Sequence, residues 1–272
     1  RVILKPSEFA PSTGALLASL VAAEFAAEEI GVVNGGADVA QDLVGGAVDL
    51  IVFTGGSGTG RKVMELAARR LTPVILELGG KSPVIISRSA NVRQAAHRIA
   101  IGKGANSGQL CISPDTIYVP QEHVDAFGQA LLEEYRTLYG AMGSTAAIVN
   151  EAHCERFEGL LADARLQSRS VLSLSEAQDG TRRRPFSVVI DPKPEARISN
   201  EEVFGPAVVV RGYDRLETLL DELAREEKPL ALYYFGTDRA EERMVFERLP
   251  SGGASVNDVL MHASAFDAPF GG

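Results

Sequence analysis

Short apolar runs alternating with longer helical patterns constrain this chain more than any other feature. Residues 2–4, 32–33, 50–53 and 74–76 are brief, β-branched and bounded by Gly, Pro, Asn or Asp, which reads as buried strands. Between them, residues 12–27 and 60–70 carry helical patterns, the second with Ser57 or Thr59 as candidate N-cap. Strand, helix, strand, helix at this spacing predicts parallel βαβ units with helices on both faces. After the Gly79-Gly80 pair the pattern restarts with strand 84–86, helix 91–104, strand 116–119 and helix 122–138. A polar stretch at 166–187 is poorest in pattern and expected to be the most mobile. Beyond it come strands 188–190 and 207–210, helix 214–226, strand 230–235 and helix 238–248. The fold class is therefore α/β, with a boundary at Gly79-Gly80 dividing a short piece from a longer one.

Composition narrows the function classes. At 272 residues the chain is long enough for a sizeable core in one or two domains. A net charge of −9 argues against a nucleic-acid partner, which needs clustered Lys and Arg. The one dense basic run, Arg182-Arg183-Arg184, reads as a solvated turn. Cys111 and Cys154 are too few for a disulfide framework, so a reducing, cytoplasmic compartment is expected. Neither a signal peptide nor an apolar run near the ~20 residues needed to span a bilayer is visible, so no membrane partner is expected. His97, His123, His153 and His262 show no metal-ligand spacing, so no metal is expected. No G-x-S-x-G elbow is present. The sequence opens within a strand pattern without an initiating Met and stops in a turn-like Phe270-Gly271-Gly272, which reads as a piece of something longer.

Three segments could carry chemistry. Residues 49–61 read as strand, glycine-rich loop and helix, a geometry that offers backbone N–H groups to a phosphate. The P-loop spacing from Gly55 to Gly60 is right, but Arg61 and Lys62 stand where Lys and Ser or Thr belong. The G-x-G-x-x-G pattern fails as well, with Arg61 in its third glycine position. Alone, the loop is either a phosphate site or an ordinary tight turn. Glu77 closes an apolar strand beside Gly79-Gly80, where a carboxylate is solvated, paired, or shifted in pKa for proton transfer. Cys111 follows a helix and precedes a strand, and is either a small buried hydrophobe or a reactive thiol. Cys154 reads as structural, because its neighbour His153 points in a different direction on a helix.

Taken together, these segments resemble the aldehyde dehydrogenase superfamily. Val2-Ile-Leu-Lys-Pro-Ser-Glu8 resembles the strand that receives the adenosine ribose, and Phe53-Thr-Gly-Gly-Ser57 with Gly60 the F-T-G-S-x-x-x-G phosphate loop. Leu76–Pro83 matches the glutamate signature L-E-L-G-G-K-S-P. Gly108-Gln109-Leu110-Cys111 matches the cysteine signature 34 residues after Glu77. Glu201-Glu-Val-Phe-Gly-Pro206 matches E-E-x-F-G-P, and Pro269-Phe-Gly-Gly272 the P-F-G-G near the family's end. Residues 251–262 look most like the branch of class 3 and coniferyl-aldehyde dehydrogenases. One departure is Gly56, where the family usually has Ser.

The resemblance implies a partial NAD(P)-binding domain at 1–78, whose four strands would make one incomplete sheet, and a catalytic domain at 79–272. It implies oxidation of an aromatic or medium- to long-chain aldehyde. Cys111 would attack as thiolate, with its own backbone N–H, near a helix N-terminus, as oxyanion donor. Glu77 would activate the water that hydrolyses the thioester. Lys5 and Glu8 would hold the adenosine ribose, and Phe53, Gly55, Gly56 and Gly60 the phosphates. Leu78 would complete the cofactor site, Glu202 would hold the nicotinamide ribose, and Phe204 would pack beside it. Glu8 would disfavour a 2′-phosphate, so NAD is expected over NADP, with NADP possible. The parent is expected to be a homodimer or homotetramer. The family's N-terminal portion, with an oxyanion-binding Asn, and its last strand have no counterpart in these residues. Two alternatives are an acyl-phosphate or acyl-CoA reductase on the same scaffold and a catalytically silent module.

Overall fold

The computed structural model describes residues 1–140, 146–175 and 180–271. The chain divides into two compact units, Arg1–Leu78 and Gly79–Gly272.

The first unit runs β1 (Val2–Leu4), α1 (Pro11–Glu24), β2 (Ile30–Val32), α2 (Ala37–Gly45), β3 (Ile51–Gly55), α3 (Ser57–Ala68), β4 (Val74–Leu78). Its strands form two separate parallel pairs, β1-β2 and β3-β4, instead of one incomplete sheet. The expected burial on both strand faces is also corrected. Val52 and Ile75 are exposed between half-buried neighbours, and Val2 and Ile3 are about half exposed. Successive strand side chains point to opposite faces, so β3-β4 has one better-covered face, while β1 is exposed on both, at Val2 and at Ile3. The helix after the glycine-rich loop begins earlier than expected, at Ser57. Its N-cap is Gly56, and neither Ser57 nor Thr59 caps it. Gly56 is extended (φ −74°, ψ 149°), so the chain enters the helix one residue before Ser57 could act as cap.

The second unit runs β5 (Pro83–Ile86), α4 (Val92–Gly104), a 3-10 turn (Ala105–Gly108), β6 (Thr116–Pro120), α5 (Val124–Tyr139), α6 (Glu151–Gln167), β7 (Ser168–Ser173) and β8 (Ser187–Pro192). It continues with α7 (Arg197–Asn200), β9 (Ala207–Tyr213), α8 (Leu216–Leu223), β10 (Ala231–Phe235), α9 (Arg239–Arg248) and β11 (Gly253–Val256). The sheet has the order β11-β10-β5-β6-β9-β8-β7, and every pairing is parallel except β7-β8. Alternate residues of the central strands feed different cores. Val84, Ile117, Val188, Val208 and Tyr233 pack with α4 and α5, while Ile85, Leu232 and Tyr234 pack with α8 and α9. Cover on both faces explains the near-continuous apolar runs of β8 to β10.

One expectation fails here. Residues 168–173 of the polar stretch form an edge strand, because backbone pairing to β8 does not require apolar side chains. Residues 176–179 of that stretch lie outside the described residues. Within the arginine run Arg182 and Arg183 are exposed, as a solvated turn has them, while Arg184 is less exposed and forms an ion pair with Glu158.

Candidate active site

Cys111 sits in a turn between the 3-10 segment and β6, half-buried against the main core and in no disulfide. The approach to it is conformationally unusual. Asn106, Ser107 and Gly108 have φ of 48°, 54° and 73°, a run that only glycine adopts without strain. Hydrogen bonds hold it. Asn106 Nδ2 donates to the Gln109 carbonyl, and Gln109 Nε2 to the carbonyls of Asn106 and Ala147. Ser107 Oγ donates to the Ala146 carbonyl at 2.9 Å. Beyond the cysteine, the buried Tyr233 hydroxyl of β10 donates to the Ile112 carbonyl at 2.6 Å. No helix begins at Cys111, which corrects the expectation that its N–H lies at a helix N-terminus. The positive-φ residues end α4 early and leave only a turn before β6.

The loop after α7 is fixed to this segment by charge. Lys81 Nζ donates to Asp115 Oδ1 at 2.5 Å, to the Ile198 carbonyl at 2.8 Å and to the Glu201 carbonyl at 3.2 Å. Asp115 Oδ2 accepts the Val203 N–H at 2.8 Å. Arg156 of α6 donates to the carbonyls of Glu202 and Val203. Phe204 is half-buried and has φ 41°, a strained value in this loop. The Glu202 carboxyl rests on the Gly79-Gly80 turn so closely that a methyl group on Gly79 would collide with it. It also accepts the Gly80 N–H. Burial, with the nearby Asp115, pushes Glu202 up to about 7.

Under this loop lies Lys103, the penultimate residue of α4 and only 1% exposed. A methyl group on Gly108 would collide with the Gly205 carbonyl and fall 2.7 Å from Lys103 Cε. The lysine stem, the cysteine turn and the Glu202 loop therefore meet at Gly108. Burial pushes Lys103 down to about 8 against the attraction of Asp115 and Glu202.

In the first unit, Glu77 lies opposite Thr54 in the β3-β4 ladder. Its Oε2 is buried and has no hydrogen-bond partner among the described residues. Gly55 lies under the Phe53 ring, and Gly60 is buried against Leu78. Gly56 and Gly58 have nothing within 4 Å of a would-be side chain, so the loop presents open backbone. Lys5 and Glu8 form an ion pair at 3.0 Å. A backbone hydrogen bond, with Lys5, holds Glu8 below the usual carboxylate range.

All 272 residues match the aldehyde dehydrogenase family. The chain belongs to it. A probable coniferyl aldehyde dehydrogenase of Caulobacter vibrioides is 41% identical, the match covering 100% of this chain and 58% of that protein. Aldehyde dehydrogenase family 3 member A2 of Rattus norvegicus is 34% identical over 99% of this chain and 56% of its own. The substrate-bound state of Staphylococcus aureus AldH superposes with a TM-score of 0.93 at 33% identity, covering 99% of this chain and 59% of that one. This aldehyde dehydrogenase chain thus spans rather more than half the length of the relatives it matches, and its relatives include coniferyl aldehyde dehydrogenases and family 3 members.

Within this aldehyde dehydrogenase chain, the second unit brings Cys111, Glu202 and Phe204 onto connected loops. Glu77, Leu78, Lys5, Glu8, Phe53, Gly55, Gly56 and Gly60 belong to the first unit. Cys154 is fully buried among Phe157, Leu161 and Val209. Sequence reading passed over Asp115, Lys103, Arg156 and Tyr233. Only Asp115 had an accessible signal, a lone acid close after the cysteine. Gly272 of the P-F-G-G stretch lies outside the described residues. No group of His, Cys, Asp and Glu among the described residues could hold a metal ion, and no described helix is long and apolar enough to cross a membrane.

Proposed function

We propose that the protein carrying this chain oxidises an aldehyde to a carboxylic acid with NAD or NADP through a covalent intermediate on Cys111. The Cys111 thiolate adds to the carbonyl carbon, forming a C–S bond and an alkoxide. NAD(P), when bound, supplies the acceptor for the hydride that leaves that carbon, so the acyl group remains on sulfur as a thioester. Glu77 takes a proton from water, the resulting hydroxide adds to the thioester, and the C–S bond breaks to return the thiolate.

The observation that carries this reading is the Glu77 carboxylate, whose buried Oε2 has no hydrogen-bond partner among the described residues. No protein donor among the described residues occupies that oxygen, which supports its use as the acceptor of a proton from water. The residues also fit a dinucleotide. Gly56 and Gly58 offer open backbone, with Phe53, Gly55, Gly60 and Leu78 shaping the turn, and no side chain caps α3. Lys5 and Glu8 would hold the adenosine ribose, while Glu202 and Phe204 would hold the nicotinamide ribose. The anionic Glu8 favours NAD over NADP.

The coniferyl and family 3 relatives support an aromatic or medium- to long-chain aldehyde as substrate. We assign the protein to the cytoplasm as a homodimer or homotetramer. The test is Glu77→Gln. It should give a burst of reduced cofactor near one per site, then slow turnover, with the acyl adduct visible in the intact mass. Turnover equal to the wild type would refute the assignment of Glu77.

A further inference from the structure

A lysine ammonium in an interior costs several kcal/mol unless something opposes its charge. Lys103 is 1% exposed, and no ion pair or hydrogen bond holds its ammonium among the described residues. Its Cε lies against Gly108, on the side where the Gly205 carbonyl closes the same gap. Gly205 belongs to the loop that carries Glu202, so the lysine stem and that loop meet at Gly108. The charges that act on it are Asp115 and Glu202, which attract, and Lys81, which repels. Lys81 is itself bound to Asp115 and two carbonyls. Asp115 is in turn occupied by Lys81, Thr116 and the Val203 N–H. Glu202 feels Asp115 as a like charge and Lys103 and Arg156 as opposite ones, with the Gly80 N–H as donor. The Arg156 guanidinium is committed to the carbonyls of Glu202 and Val203. Lys103 is the countercharge left for the Glu202 carboxylate.

We propose that Lys103 is a positioning residue that keeps the Glu202 carboxylate ionised and seated on the Gly79-Gly80 turn, and so sets the affinity for the ribose at the nicotinamide end of the cofactor. This rests on the reading of Glu202 as the nicotinamide-ribose ligand. An ionised carboxylate accepts from both ribose hydroxyls, and a protonated one offers a donor where an acceptor is needed. Without Lys103 the burial that already raises Glu202 is opposed only by Arg156 and the Gly80 N–H. Its titration then moves upward, and at pH 7 the anionic fraction falls.

The experiment measures equilibrium NAD binding by calorimetry from pH 6 to 9, without aldehyde, on the wild type, Lys103→Met, Glu202→Gln and the double variant. Lys103→Met removes charge at nearly constant volume, and Lys103→Gln replaces it if the Met protein does not fold. A rise of about one pH unit in Glu202 weakens NAD roughly fivefold at pH 7. The gap from the wild type closes by pH 9, where Glu202 ionises unaided and Lys103 itself is mostly neutral. Glu202→Gln should weaken NAD with a flat profile, and adding Lys103→Met to it should change nothing. A Lys103→Met defect equal at pH 7 and 9, or one that persists on Glu202→Gln, overturns the role of Lys103 alone. Glu202→Gln that binds NAD like the wild type overturns the reading of Glu202 and this proposal together.

Discussion

Lys81 Nζ lies 2.5 Å from Asp115 Oδ1, joining residues 34 apart in sequence. The pair fastens the glutamate-signature turn to the strand that follows Cys111. Through the Val203 N–H it also fastens the loop that carries Glu202. Asp115 is 2% exposed, so removing its charge strands a partly buried ammonium. Breaking such a pair from one side costs about 3–5 kcal/mol. Asp115→Asn is therefore expected to lose about 3 kcal/mol in urea unfolding. A loss under about 1 kcal/mol would mean that the carbonyls of Ile198 and Glu201 suffice to hold Lys81.

The two cysteines should separate cleanly. Cys111→Ala is expected to abolish aldehyde oxidation. Burial pushes the Cys154 thiol up and seals it in the core, so Cys154→Ala should cost about 1 kcal/mol of stability and leave kcat unchanged. A thiol reagent applied to the native protein should label Cys111 first. Equal loss of activity from both variants, each folded, would contradict the choice of nucleophile.

Glu8 should govern the choice of cofactor. Two like charges near a protein surface repel by about 1–4 kcal/mol at contact, so Glu8→Gln should raise kcat/KM for NADP relative to NAD roughly tenfold. The sign of its pH dependence follows from a depressed carboxyl: the charge is present above the usual carboxylate range and is lost only as pH falls through the lowered value. Discrimination against NADP should therefore hold down to pH 5. An unchanged ratio in Glu8→Gln would place the discriminating group elsewhere.

The positions of most strands were legible, because buried parallel strands leave dense β-branched runs such as those of β8 and β9, but their order in the sheet was not. The helix α6 was legible and passed over. Asn150 caps it by accepting the His153 N–H, and Cys154, Phe157, Leu161 and Ala164 form one buried stripe. The strand β7 was not legible, since Ser168, Arg169 and Ser170 at a sheet edge look like a loop. The cysteine and glutamate segments stood out by spacing. Their supports did not, because the Lys81–Asp115 pair and the burial of Lys103 depend on chain segments far apart in sequence. The positive φ of Ser107 carries no residue signature, and Asn106, a type that visits this region more often than most, carries only a weak one.

The strand order bears on how the protein is made. β5 lies between β6 and β10, and β10 begins at Ala231, long after β5 has left the ribosome. Until then β5 has an open edge, and the Ile112 carbonyl lacks the Tyr233 hydroxyl that clamps it. Contacts between such distant segments slow folding, because a long loop must close before any pairing rewards it. The turn that presents Cys111 therefore sets late, after most of the second unit has been synthesised. A nascent chain halted before β10 would expose an unpaired apolar strand and depend on chaperones.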